Sequence, residues 1–277
     1  MTFHVKQPSP LLRQNSELRS LRVWNWTLPA GPVTLEDGRR VNACPNADGC
    51  LALCYARNGT YLFPVVQQAH KANMAFAMDD IDGWSAAMLD ELAADRFRPD
   101  GRIRRLLSRI PESDPWARSW AYAGGAAVRI HDAGDFFSEQ YLRAWLDIAR
   151  FMPDILFYAY TKEVSLFRRC VEERAPINFR WLYSLGGKED HLLDLEVDRH
   201  AEVFPNSVLL ESAGYLDQSA SDLLAVLAPS NRIGIEANRI PAARKKQGGR
   251  TFGEIQQARH DHRAKAHAMR PDLPVEE

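Results

Sequence analysis

Ile155-Leu-Phe-Tyr-Ala-Tyr160 is apolar apart from two phenols, and Thr161-Lys162 closes it. Pro153-Asp154 turns the chain into it. A short apolar run bounded by turn residues reads as a strand buried on both faces, as in a parallel sheet. The theme recurs on either side. Ala126-Ala-Val-Arg-Ile130 precedes it; Phe179-Arg-Trp-Leu-Tyr183, Ser207-Val-Leu-Leu-Glu211 and Arg232-Ile-Gly-Ile-Glu236 follow. Helical segments are expected between them: Glu139 to Met152 behind a Ser138 cap, Leu166 to Arg174, Leu192 to Val203 and Ser221 to Ala228. Strands alternating with helices make parallel βα units with right-handed crossovers. The expected fold is α/β, a parallel βα barrel, complete or partial, over residues 41–240. In such folds the chemistry sits at the carboxyl ends of the strands. Asp132, Asp135, Thr161, Lys162, Ser184, Glu211, Ser212, Glu236 and Asn238 fall at or near those ends.

Residues 1–40 are expected to form an amino-terminal arm and hairpin. The first twenty residues read as a loose arm, Arg22 to Leu28 as a strand, and Val33 to Val41 as a hairpin turning at Asp37-Gly38. Phe63 to Met78, with Pro64 in its first turn, reads as a helix. Ile81 to Asp95 and Arg102 to Ile110 read as two more, with Pro111 to Pro115 as a break. Residues 241–277 are expected to form a basic tail with a helix.

The 277 residues are 45% hydrophobic with a formal charge of −1, which excludes a chain that is basic throughout. Basic residues gather locally, from Arg96 to Arg109 and from Arg244 to Lys265. Such runs are ordinary solvated faces unless they meet phosphates. No apolar run is long enough to span a membrane, and no signal peptide precedes the cysteines. The expectation is a soluble protein of a reducing cytoplasm.

Cys44-Pro-Asn-Ala-Asp-Gly-Cys50-Leu-Ala-Leu-Cys54 packs three of the four cysteines into eleven residues. Cys170 lies far off in a helical segment. Three thiols on a short loop can converge, and thiolates are soft ligands for zinc or iron–sulfur clusters. Four readings stand. Disulfides are rare in reducing compartments. Zinc would need a fourth ligand such as His70. Inert thiols can simply fill core. A four-iron cluster held by three cysteines leaves one iron open, unlike the four-cysteine ferredoxins.

A cysteine loop ahead of a parallel βα barrel resembles the radical S-adenosylmethionine (SAM) superfamily over about Val41 to Asn238. The spacing differs: C-x5-C-x3-C here, against the usual C-x3-C-x2-C, and Leu53 replaces the aromatic residue before the last cysteine. The Cys-Tyr-Ala ending is similar to that of uncharacterised phage-encoded proteins placed in that superfamily. Asp132-Ala-Gly-Asp135 resembles, by position, the Gly-Gly-Glu loop that holds the SAM amino group. The resemblance implies a 4Fe-4S cluster on Cys44, Cys50 and Cys54. It implies SAM and its surroundings held by Asp132, Asp135, Ser184, Glu236 and Asn238, with Lys162 and Glu211 as catalytic residues. It further implies an electron donor of the flavodoxin or ferredoxin type. A nucleotide or DNA substrate, isomerised or modified in phage DNA hypermodification in a host cytoplasm, completes the expectation. The bland reading of Asp132 and Asp135 is that of helix caps, and of His131 that of a satisfied structural histidine.

Asp132-Ala-Gly-Asp-Phe136 also resembles the Asp-Ser-Gly-Gly-Phe loop of the guanine-exchanging transglycosylases, zinc-bearing βα barrels with three cysteines and a histidine. A third reading is a non-enzymatic, zinc-stapled nucleic-acid-binding protein that stacks bases on Trp24 and Trp26 beside the basic tail.

Overall fold

The computed structural model describes residues 10–102 and 107–269. The arm is not loose from residue 10 onward. Leu11 and Leu12 are buried and their N–H groups donate to the Glu91 carboxylate at 2.6 and 3.0 Å. Helix α1 (Ser16–Ser20), capped by Asn15, leads to strand β1 (Val23–Trp26). The expected hairpin is β2 (Pro32–Thr34) and β3 (Arg40–Asn42), turning through Gly38 at φ +87°.

Helix α2 (Pro64–Asp79) starts on its proline, and α3 (Ile81–Leu92) on the Asp80 cap. The expected helix over Arg102 to Ile110 lies partly outside the described residues; Leu107–Arg109 is a single 3-10 turn. Pro115, expected as a breaker, instead opens helix α4 (Pro115–Ala123). Asp114 caps that helix and Gly124 ends it at φ +70°.

Strand β4 (Ala127–Ile130), helix α5 (Glu139–Phe151), β5 (Leu156–Thr161), α6 (Val164–Cys170) and β6 (Phe179–Ser184) follow as expected, with Cys170 buried in α6. The next two elements exchange types. The stretch expected as helix, Leu192 to Val203, runs into strand β7 (His200–Phe204), and the expected strand is helix α7 (Ser207–Ser212). Asn206 decides the second, because its side chain accepts from Leu209 N–H and starts a helix. Strand β8 (Leu216–Asp217), helix α8 (Leu224–Leu227), β9 (Arg232–Glu236), α9 (Pro241–Gln247) and α10 (Phe252–Met269) complete the chain.

Seven strands form one sheet in the order β1-β4-β5-β6-β7-β9-β8, and every pair is parallel. The fold is therefore α/β with a parallel central sheet. Among the described residues no strand pairing joins β1 to β8. One sheet face presents Val128, Ile130, Phe157 and Ala159 to α3, α5 and α6, where Trp84, Trp145 and Phe167 fill the core. The other presents Ala127, Leu156, Tyr158 and Leu182 to α4 and α8. Trp24 and Trp26 are 8% and 0% exposed, so they are core rather than a stacking platform. Among the described residues no helix is long and apolar enough to cross a membrane.

Candidate active site at the carboxyl edge of the sheet

The cysteine loop lies across the carboxyl ends of β4, β5 and β6. Each strand end holds it by a different bond. After β4, Asp135 N–H donates to Ala43 O at 2.6 Å. After β5, the buried Glu163 carboxylate accepts from Asn46 N–H at 3.0 Å and from its side-chain amide at 2.9 Å. After β6, Gly186 O accepts from Cys50 N–H at 3.1 Å, and Ala47 bridges to Gly187. Gly186 has φ +101°, and a Cβ there would stand 3.0 Å from the Cys50 Cβ, so glycine is required by both backbone and space.

From the far end of the chain, α9 and α10 pack on the turn Gly49–Leu53. Gln256 Oε1 accepts from Gly49 N–H at 2.8 Å. Asp48, 6% exposed, pairs with Arg259 at 2.7 Å and Arg263 at 2.8 Å.

Cys44, Cys50 and Cys54 are all free and half-buried. Burial raises the pKa of each thiol above its ordinary value. Cys44 also feels the charge of Asp135 and then of the other two cysteines, which places the three in one electrostatic neighbourhood. Lys162 acts in the opposite sense on Cys50. Cys44 Sγ accepts from Gly31 N–H at 3.3 Å. Among the described residues, no three His, Cys, Asp or Glu side chains form a group that could hold a metal ion.

Of the residues expected at strand ends, Asp135, Lys162 and Ser184 come together beside this loop. Asp135 Oδ1 accepts from Thr161 Oγ1 and Phe136 N–H, and its Oδ2 accepts from Lys162 N–H at 2.8 Å. Burial raises its pKa against those bonds. Lys162 Nζ donates to Ser184 O and Oγ, both at 2.8 Å, and to Leu185 O at 3.2 Å. Asp132 points elsewhere: it accepts from Tyr61 OH, and Tyr55 OH donates to its backbone oxygen.

The remaining candidates lie apart from this cluster. Glu211 is exposed on α7, which packs on β8 and β9, because its segment is a helix rather than a strand. Glu236 ends β9 but is exposed and paired with Arg244 at 3.4 Å, and Asn238 O accepts from the same arginine. His131 is buried at φ +69° with Nε2 2.8 Å from Tyr141 OH, and burial pushes its pKa down to about 3. Burial favours its neutral form, and its Nδ1 is buried without a hydrogen-bond partner among the described residues. His70 packs on the Tyr61 ring, 5.9 Å between centroids.

Residues 6–268 match the profile of the family described as gene product 88. The chain belongs to the gene product 88 family. No curated protein and no solved structure matches it.

In this gene product 88 chain, a polar cluster not expected from the sequence occupies the sheet face turned toward α4 and α8. Arg129, in the middle of β4, has Nη1 3.8 Å from Asp132 and 3.5 Å from Asp222. Its guanidinium lies over the Tyr160 ring at 5.1 Å, and its Nε is buried without a hydrogen-bond partner. Tyr158 and Tyr160 donate to Asp222. Burial opposes the arginine's charge, but Asp222, Tyr55 and Asp132 together hold its pKa well above the ordinary value. One signal was available: an arginine inside an otherwise apolar strand, beside a strand with two tyrosines spaced by two. Tyr55 follows Cys54 directly, so it ties this cluster to the cysteine loop. The arrangement offers soft donors on a pinned loop and, adjoining them, a floor of donors and acceptors suited to a polar substrate.

Proposed function

We propose that this gene product 88 chain is a radical-SAM-type enzyme acting on a nucleotide or nucleobase-linked substrate, with a partial βα barrel as its scaffold. The observation that carries this reading is the pinned loop: three free thiols set over the carboxyl ends of three parallel strands, beside Asp135, Lys162 and Ser184. Three soft donors fit a four-iron four-sulfur cluster with one iron left for SAM. A cubane is a larger body than one ion, so its thiolates need not converge on a point. When bound and reduced by an external donor, the cluster would supply the single electron that reductive cleavage of SAM requires.

The chain's own residues bind, orient and shield. The raised thiol pKa values mean that the loop gives up protons when it takes metal. Lys162 brings a fixed positive charge toward Cys50 and holds the β6 turn by three carbonyl and hydroxyl bonds. Asp135 is a positioning residue, since its carboxylate ties β4 to β5 while its N–H holds Ala43. Were SAM to bind, Asp135 is the residue whose carboxylate would accept from its ammonium. Arg129, Asp132 and Asp222 offer hydrogen-bonding partners for the polar edge of a base.

The test is anaerobic reconstitution with iron and sulfide, then assay with SAM and a reductant. The expected result is a brown protein that forms 5′-deoxyadenosine, with formation abolished in Cys50→Ala. A colourless protein that carries one zinc and forms no deoxyadenosine would overturn the proposal in favour of a zinc-bearing base-exchange enzyme.

A further inference from the structure

Behind the cysteine loop lies a cavity of about 520 Å³ whose floor is the turn 49–53 and whose walls are α9, α10 and the segment between them. Four cationic side chains line it, Lys246, Arg250, Arg259 and Arg263, with His262 beside them. The single Asp48 carboxylate bridges Arg259 and Arg263, offsetting one of their two charges and fixing their position. Lys246 and Arg250 have no ion-pair partner among the described residues. Like charges converging on one hollow raise the energy of the folded chain unless an anion answers them.

We infer that this cavity is a phosphate-binding site, the anchor for a nucleotide or for a phosphodiester of a nucleic-acid strand. Its volume lies within the range of small-ligand sites. Lys246 and Arg250, which have no acidic partner among the described residues, together with the charge left over on the Arg259–Arg263 pair, match a phosphate better than a single carboxylate, and arginine forks suit phosphate oxygens. The α9–α10 connection through Gly248 and Gly249, both at positive φ, brings Lys246 and Arg250 to the same rim. Among the described residues, neither a cysteine nor a residue of the Arg129 cluster lines it. Its use as a substrate anchor rests on the proposed function, whereas its affinity for phosphate rests on the cavity alone.

The experiment is a fluorescence polarisation titration of the full-length, metal-free protein at several salt concentrations. One arm uses a fluorescein-labelled single-stranded oligonucleotide and the other a fluorescent nucleoside triphosphate. The double variant Lys246→Ala/Arg250→Ala removes exposed side chains only, and circular dichroism checks its fold. Binding in at least one arm, weakened about tenfold or more in the double variant, is expected. In the oligonucleotide arm the salt slope should fall by about 1.4, two contacts at about 0.7 each. Tight binding of the triphosphate alone assigns the site to free nucleotides, and tight binding of the oligonucleotide assigns it to a strand. Unchanged affinity in the variant would overturn the inference. So would displacement of the probe by poly-glutamate as effective as by unlabelled probe, which would mark a surface for acidic proteins. Absence of binding by the wild-type protein in both arms, with its deoxyadenosine formation intact, sinks this inference alone; binding that the double variant loses, with no deoxyadenosine formed by the wild type, sinks the radical reading alone.

Discussion

Replacing Glu202 by glutamine should change how the protein's stability depends on pH. Glu202 sits in β7, 5% exposed, and its carboxylate receives the first turn of α10: Phe252 N–H at 3.0 Å and Gly253 N–H at 3.1 Å, with Val203 N–H at 2.8 Å. A carboxylate at a helix start is ordinarily favoured. Burial outweighs those bonds here and pushes the pKa up to about 7. In the unfolded chain a glutamate titrates near about 4.3. Below that pH both states hold the proton and the stabilisation is complete. As pH rises, the unfolded state releases its proton first, so the folded state loses ground until about pH 7. The interval is nearly three pH units at about 1.4 kcal/mol each, on the order of 3 to 4 kcal/mol. Glutamine is neutral throughout and should lack this term. Urea unfolding of both proteins at half-unit steps from pH 4 to 8 gives the difference curve, in which all other titrating groups cancel. The variant should gain on the wild type as pH rises through the window and level off above it. A flat difference, or a gain toward acid, would show that helix capping and not burial sets the carboxyl's charge.

Gly186→Ala forces a side chain onto φ +101° and against Cys50, and should cost about 1 to 3 kcal/mol of stability; thermal unfolding and iron retention after reconstitution should fall together. Asp114→Ala removes the α4 cap and leaves the half-buried Arg180 without its carboxylate. That should cost about 2 to 3 kcal/mol in chemical denaturation. Asp222→Asn takes a charge from beside Arg129 and the acceptor of Tyr158 and Tyr160. It should lower stability by about 1 to 2 kcal/mol while 5′-deoxyadenosine formation without substrate persists; loss of both would place Asp222 nearer the thiols. Glu211→Ala should leave unfolding and deoxyadenosine formation unchanged, and a marked loss of activity would return Glu211 to the site.

The central strands were legible because β4, β5 and β6 are short apolar runs closed by turn residues, a pattern that parallel sheets impose. The exchange at β7 and α7 was not. Ser207-Val-Leu-Leu-Glu211 has the apolar density of a strand, yet Val208 and Leu209 are 72% and 43% exposed and only Leu210 is buried. The deciding residue was Asn206, one place upstream. Pro115 had the opposite fault: proline at a first helical turn costs nothing there, and Asp114 before it marks the start. The thiol loop, Asp135, Lys162 and Ser184 could be read from residue type and position. The Arg129 cluster could not, since Asp222 and Tyr55 reach it only through the fold.

The bond between Gly49 and Gln256 spans 207 positions of chain. On a ribosome adding about 5 to 20 residues per second, the thiol loop therefore waits roughly 10 to 40 s for its last support. During that interval the loop lacks the contacts that α9 and α10 make with its turn Gly49–Leu53. The cradle around the loop is therefore complete only once α10 has emerged from the exit tunnel and Gln256 can reach Gly49.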